Sequence, residues 1–356
     1  MTGHTVDMDD FQLATEPFRR EVFAHCYRMT GSVHDAEDLV QDVYLRAWRS
    51  FDRFEGRSSV RTWLYRIATN VCLTALDRRR RRALPSGLGA PSSDPRAAVA
   101  PAPDEVRWVE PIADRLVVDE LGDPADVVAM RNSLRLALIA GLQLLSPRQR
   151  AALIFCDVLA WPAVNAADAL GVSTAAVKSL LQRARRRLAE EAVVADELVA
   201  PTDRDARRIL DRYVEAFERS DMAEIERLLA VDAVLEMTGT STWFAGKATC
   251  VPFIAAQAIA TAGDWRLVPL PINGQLGCAA YARAADGDHH PYAIVVVATT
   301  TTHLTRISLF DDVTLFGRFG LPPTAPGSSQ PPWQATLVHG VPSLPSPDAT
   351  DDRAAG

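Results

Sequence analysis

Apolar residues Val60, Trp63, Leu64, Ile67, Ala68, Val71, Cys72 and Ala75 recur at three- and four-residue spacing, which marks one continuous stripe of an α-helix. Arg61, Thr62, Arg66, Asn70 and Thr74 fill the opposite face, and the pattern runs into five consecutive arginines at 78–82. The preceding stretch has the same period, with Ala36, Leu39, Val40, Val43, Ala47, Trp48 and Phe51 inward, after a turn at Thr30-Gly31-Ser32. Helical periodicity holds over residues 11–82, lapses over 83–125 where Pro, Gly, Ala and Ser dominate, and returns over 126–195. Inside that second block, residues 146–189 predict a helix, a turn at Gly171 and a second helix opened by Ser173 as N-cap. Over 203–320 two helices give way to β-rich runs such as PYAIVVVATTTTHLTRISLF. The expected fold class is therefore multidomain: an all-α domain (11–82), a flexible linker (83–125), an all-α helix-turn-helix domain (126–195), an α+β domain (203–320) and a tail with the composition of disorder (321–356).

Composition narrows the class. A chain of 356 residues, 48% hydrophobic and 23% charged, can bury two or three ordinary cores. The first ten residues lack the basic and apolar regions of a signal peptide, and the longest apolar run, AIVVVA at 293–298, is too short to span a bilayer. No membrane partner and a cytoplasmic location are expected. Cys26, Cys72, Cys156, Cys250 and Cys278 are scattered, with no CxxC pair, which fits reduced thiols better than disulfides or zinc; no metal and no cofactor are expected.

The net charge of -7 argues against indiscriminate binding to nucleic acid, but nucleic acid responds to local charge. Between 146 and 188 seven Lys/Arg stand against two acids, and a helix with small residues at its start and basic ones along it suits a major groove and its phosphates. A charged helical hairpin is the plainer reading. The arginines at 78–82 read either as a solvated helix end or as phosphate ligands, since adjacent guanidinium groups repel unless neutralised. Asp35, Glu37, Asp38, Gln41 and Asp42 crowd the start of the preceding helix, where acids favour the helix itself or form a face for a basic partner.

Taken in order, HCYRMTGSVHDAEDLVQDVYLRAW, SSVRTWLYRIATNVCLTALDRRRR, a linker, and LSPRQRAALIFCDVLAW followed by LGVSTAAVKSLLQRARRRL closely resemble the extracytoplasmic-function (ECF) group of bacterial sigma factors of the sigma-70 family. The resemblance covers residues 11–190. It implies a region 2 bundle whose Asp35, Glu37, Asp38, Gln41 and Asp42 dock on the core of bacterial RNA polymerase. It implies that 54–70 reads and melts the minus-ten element of promoter DNA, with Arg57, Ser58, Ser59, Arg61, Arg66, Asn70, Arg79, Arg80, Arg81 and Arg82 as contacts. Unpairing and unstacking cost a few kcal/mol per step, and a base pocket at the small polar loop Gly56-Arg57-Ser58-Ser59 with a basic track for the strand would recover it. Trp63 lies on the apolar stripe and reads as core rather than as a stacking platform. In region 4 the resemblance places Thr174, Ala176, Val177, Lys178 and Leu181 near base edges of the minus-thirty-five element, with Arg183 and Arg186 near phosphates. Asn165 stands where relatives often carry an acid. An anti-sigma factor is a further partner that the family admits.

The third domain resembles the SnoaL-like family through RRILDRYVEAFERSDMAEIERLLAVDAVLEMTG, TWFAG and the terminal β segments to LFGRFGLP, implying a curved sheet wrapped by helices around a cone. Asp232, Glu236, His303 and Asp311 are the ionisable candidates for that cone, yet no nucleophile, base and orienter occur at recognisable spacing, so a non-catalytic regulatory module taking an unidentified small ligand or protein is expected. Trp108, Glu110 and Pro111 in the linker form a candidate interdomain latch, or a local turn. The resulting expectation is a sigma factor, not an enzyme, modulated by its own third domain. Two alternatives are a ligand-responsive helix-turn-helix regulator, for which the acidic docking face is superfluous, and a SnoaL-like isomerase or hydrolase fused to a DNA-binding module, which turnover would reveal.

Overall fold

Four helices build the first body: α1 (Met8–Thr15), α2 (Arg19–Thr30), α3 (Val33–Ser50) and α4 (Val60–Leu76). Each of the two long ones starts at a serine whose hydroxyl satisfies an otherwise unpaired amide, Ser32 accepting from Asp35 N at 3.1 Å and Ser59 from Thr62 N at 3.1 Å. Their apolar stripes meet over Val22, Tyr27, Leu39, Val43, Leu64 and Ala68, all buried. Phe11 closes one end edge-on to Trp48 and Phe51, and Trp63 packs against Phe51 and Phe54 as core. The computed structural model describes residues 8–77, 81–96, 98–190, 204–258 and 261–326. The described residues from Met8 to Ala325 form one compact unit.

The stretch whose composition predicts a flexible linker is packed instead. Strand β1 (Arg82–Ala83) pairs in parallel with β2 (Arg107–Trp108). Beyond it Val109, Ile112, Ala113, Val117 and Val118 are buried, so five apolar side chains at irregular spacing fix a segment with no helical or strand period to announce it. Helices α5 (Pro124–Asn132), α6 (Leu136–Gln143), α7 (Pro147–Leu153), α8 (Ala163–Leu170) and α9 (Thr174–Glu190) follow, α7 continuing as a π-turn over Ile154–Val158. Gly171 ends α8 at φ 64°, a left-handed conformation that glycine adopts without strain.

Helices α10 (Arg204–Glu218) and α11 (Met222–Leu228) lead into β3 (Leu229–Met237) and β4 (Trp243–Ala245). Helix α12 (Lys247–Gln257) precedes β5 (Trp265–Ile272), β6 (Gln275–Arg283), β7 (His289–Thr299) and β8 (Leu304–Phe310), with a short α13 (Leu315–Arg318). The sheet order is β4-β3-β8-β7-β6-β5, antiparallel except for the β3–β8 pair. Its alternating side chains feed two cores. Leu267, Cys278, Ala280, Val295, Val297 and Ile307 pack under α10–α12, while Val268, Ala279, Tyr281, Ile294, Val296 and Phe310 join the core of the helical body. That is why β7 reads as an unbroken apolar run, since both of its faces are covered. Of the expected disordered tail, Leu321 and Ala325 still bond back to Phe316 O and His289 O, and residues 327–356 lie outside the described residues. Among the described residues no helix is long and apolar enough to cross a membrane. Four of the five free cysteines are buried and Cys156 is partly so.

Candidate polymerase and promoter interfaces

The acidic start of α3 divides into two sets. Asp38, Gln41 and Asp42 are exposed, one turn apart, beside Leu45, which is 53% exposed. Asp35 and Glu37 are engaged by the chain itself: Arg82 Nη2 lies 2.9 Å from Asp35 Oδ2, and Arg318 of α13 pairs with Glu37 while its Nε donates to His34 Nε2 at 3.1 Å. The amides that begin α3 are capped from outside, Val33 N and His34 N donating to Glu110 Oε2 at 2.9 and 3.2 Å. Ser32 Oγ donates to the same oxygen at 2.9 Å, so one linker carboxylate serves a hydroxyl and two helix-start amides.

On α4, Arg66 and Asn70 are exposed, and Arg61 is partly buried over Tyr65, with its Nε 2.6 Å from Glu21 Oε2. Arg57 and Ser59 are exposed at the preceding loop and Ser58 is half-buried. Arg79 and Arg80 lie outside the described residues, and Arg81 is exposed. Arg82, expected to meet phosphate, is turned inward: its side chain is 12% exposed and bonds Asp35, Glu110 Oε1 and Trp108 O. The reason is the parallel β1–β2 pairing, which directs Arg82 toward the two carboxylates. Tyr65 and Thr69, off the predicted stripe, are buried as well, Tyr65 against the helix-turn-helix domain and Thr69 against His25 of α2 at 2.9 Å. Trp161 meets Tyr65 edge-on at 5.3 Å between centroids and stacks on Phe155 at 4.7 Å.

On α9, Thr174 and Ala176 are half-buried, and Lys178, Arg183 and Arg186 are exposed. Val177 and Leu181 are not available to bases. They are buried with Ala184, four and three residues apart, on the stripe that packs α9 against α7 and α8.

The two helical bodies and the sheet meet at the β5–β6 turn. Asn273 Nδ2 donates to the Tyr27 hydroxyl at 2.7 Å and to Leu134 O at 2.8 Å. Its Oδ1 accepts from Ile112 N, Gly274 N donates to Asp114 Oδ1 at 2.7 Å, and Gln275 Oε1 accepts from Leu136 N at 2.7 Å. Three consecutive residues thus tie the first helical body, the linker and the start of the second body together. Beside this turn Arg131 Nε faces Asp114 Oδ2 at 3.9 Å, both atoms buried. Burial lowers Arg150 to about 10 and, with Gly274 N–H and Arg131 opposing, raises Asp114 to about 7.

The model of sigma-70 region 2 matches residues 15–82, and that of sigma-70 region 4 matches residues 135–188. The ECF RNA polymerase sigma factor SigG of Mycobacterium tuberculosis H37Rv is 49% identical over 315 residues, 88% of this chain and 84% of that protein. The chain belongs to the ECF sigma factors. The alignment to SigG is longer than the two sigma regions together, so it takes in part of the third domain as well. SigJ of the same organism is 30% identical over 236 residues, 65% of each chain. Its crystal structure superposes with a TM-score of 0.56 at 22% identity, covering 86% of this chain and 98% of that one, which shows a shared fold.

This ECF sigma factor is thus a transcription protein rather than an enzyme, and its third domain is an α+β unit in which α10–α12 cover one face of a six-stranded sheet. Of the four ionisable residues expected in the cone, Asp232, His303 and Asp311 are exposed, Asp232 within β3 where its pairing is irregular between Leu229 and Val234, and His303 and Asp311 in the loops on either side of β8. Glu236 is buried, 2% exposed, but alternation along β3 turns it away from Leu235 and the cone interior, onto the face toward the linker, where Ser308 Oγ, Arg306 Nη1 and the linker's Ser86 N lie at 2.7, 3.0 and 3.1 Å. Sequence reasoning missed Arg318 and Asn273. The left-handed Asn273-Gly274 pair was a turn signal, but nothing local tells what a turn will dock against.

Proposed function

We propose that this sigma factor is a cytoplasmic promoter-specificity subunit of bacterial RNA polymerase that its own third domain holds closed. Its working parts are a docking and minus-ten domain (11–82), a latch-bearing connection (83–125), a minus-thirty-five domain (126–195) and a regulatory cone (203–320). Asp38, Gln41 and Asp42 make the free part of the docking face, and Asp35 and Glu37 complete it once Arg82 and Arg318 let go. Arg57, Ser58, Ser59, Arg61, Arg66, Asn70 and the arginines 79–81 take the melted minus-ten strand. Thr174, Ala176, Lys178, Arg183 and Arg186 take the minus-thirty-five element. Trp108, Glu110 and Pro111 are the latch: Glu110 caps α3, Trp108 O accepts from Arg82, and Pro111 is buried beside the β5–β6 turn's partners.

The observation that carries this reading is the pairing of the acidic α3 start with arginines of the chain itself, one of them from the third domain. Those arginines stand where a basic surface of polymerase would be attracted. The test is binding of the full chain to purified core polymerase, followed by transcription from genomic fragments. Reversing Asp38 and Asp42 to Lys should weaken core binding at least about tenfold, and Arg318→Glu should strengthen it. Unchanged binding in the double reversal removes the docking assignment.

A further inference from the structure

His34, the second residue of α3, stands between the linker and α13 with both ring nitrogens engaged. Its Nδ1 lies 2.8 Å from Glu110 Oε2, and its Nε2 accepts from Arg318 Nε at 3.1 Å. A carboxylate only accepts and a guanidinium only donates, so the two contacts together admit one form of the ring, neutral with its proton on Nδ1. The charged groups around it are Asp35 and Glu37 of α3, Glu110 and Arg115 of the linker, Arg82 of β1 and Arg318 of α13. Arg318 is held by Glu37, by the ring and, through its carbonyl, by Arg115 Nη2 at 2.7 Å. The imidazole is 36% exposed, so protons reach it. A second proton has one place to go, the Nε2 lone pair that Arg318 uses. Two N–H groups of like charge then meet, whereas the contact of Nδ1–H with Glu110 becomes charge-assisted. The ring stays on Glu110 and the guanidinium moves. Its remaining side-chain partner is Glu37, in a pair 26% and 38% exposed, and a pair so open to water does not hold a guanidinium against a cation beside it.

We infer that His34 is a proton gate on the start of α3: neutral, it positions Arg318 over Glu37, and protonated, it releases the guanidinium and frees Glu37 for a basic partner. Imidazole is the side chain whose charge changes between about pH 5 and 8, so mild acidification is the signal. Helix α13 keeps its place, because Leu315, Phe316 and Phe319 are buried in the core and only the side chain of Arg318 lets go. The consequence for polymerase rests on the closed sigma factor proposed above; the gate itself does not.

Nitrogen-15 spectra of the full chain read the ring and the guanidinium directly, and the signals lost in His34→Gln identify the ring. At about pH 8 the ring should show the Nδ1–H tautomer and the Arg318 Nε–H should exchange slowly with water. A glutamine turns its amide oxygen to Arg318 and gains no proton, so His34→Gln should hold the guanidinium at every pH. On passing to about pH 5 the wild-type ring should gain its proton and Arg318 exchange should become at least about tenfold faster than in His34→Gln at the same pH. His34→Lys, charged throughout, should release Arg318 at both. An Nε2–H tautomer at the higher pH, or Arg318 exchange that does not follow the ring, overturns the gate. Binding to core polymerase then tests the consequence. The polymerase titrates alike for both chains, so the ratio of affinities isolates His34: wild type should match His34→Gln at about pH 8 and bind at least about threefold more tightly at about pH 6. An equal ratio at both, with the spectra as expected, overturns the closed reading of the docking face and not the gate.

Discussion

Helices α4 and α9 are each seventeen residues long, amphipathic, and assigned to DNA, yet they are buried in different ways. On α9 burial follows one stripe, Val177, Leu181 and Ala184, and the face with Lys178, Arg183 and Arg186 is open. On α4 the stripe is supplemented by Tyr65 and Thr69, because Phe155 and Trp161 of the helix-turn-helix domain and His25 of α2 lie against them. The difference is not in the helices but in their neighbours. The basic face of α9 is open, whereas one flank of α4 is covered by the helix-turn-helix domain.

The largest break in that contrast should come from Gly274→Val. A Cβ there would lie 2.2 Å from Arg131 O, on a backbone with φ of 64° that only glycine tolerates well. The turn should be lost from the junction at a cost on the order of 3 kcal/mol, seen as an increased radius of gyration in solution scattering and faster exchange at Tyr65 and Thr69, with α9 unchanged. A compact variant would show that the turn is not what holds the bodies together. Trp161→Ala should uncover α4 more locally, removing the ring between Phe155 and Tyr65 for about 2–3 kcal/mol. Denaturant unfolding measures that loss, and exchange should rise on α4 alone.

A pH series sharpens the junction's part. Burial holds Asp114 at about 7, above the roughly 4 of an unfolded Asp. The folded chain thus binds more protons than the unfolded one between those values, and the contribution of Asp114 is full below about pH 4 and lost as pH rises through about 7. His25, pushed down to about 3 by burial and Arg28, slopes the other way below about 6.5. The difference between chains isolates Asp114: between pH 5 and 8, Asp114→Asn should gain about 2 kcal/mol on wild type in unfolding free energy. A constant gap would remove the carboxyl from the account. The smallest effect is expected at Lys178→Ala, which leaves closure untouched and changes preference at the upstream element by about 1 kcal/mol, read by competition between promoter variants.

Much of this was legible in the chain. The stripes of α3 and α4, the turn at Gly171 and the N-cap serines follow from period and capping, and the charge map marked the exposed basic face of α9. The errors share a cause. Val177 and Leu181 were placed toward bases from their position at the helix start, although their spacing with Ala184 marks them as core. Arg82 was grouped with its arginine neighbours, and a two-residue strand pairing turned it inward. Asp232, Glu236, His303 and Asp311 were grouped by chemistry, and an irregular stretch of β3, strand alternation and the loops flanking β8 put them outside the cone interior.

The sequence by itself determined the helices, their apolar faces, the order of the parts and the family to which they belong, because local periodicity, caps and charge are properties of neighbouring residues. Only the tertiary structure decided that the segment between the helical bodies is packed rather than free, that Glu110 caps a helix 77 residues away, and that Arg318 covers Glu37. Those outcomes depend on which unpaired amide, carboxylate or apolar face lies across a gap in space. A chain read one residue at a time carries the partners but not their distance.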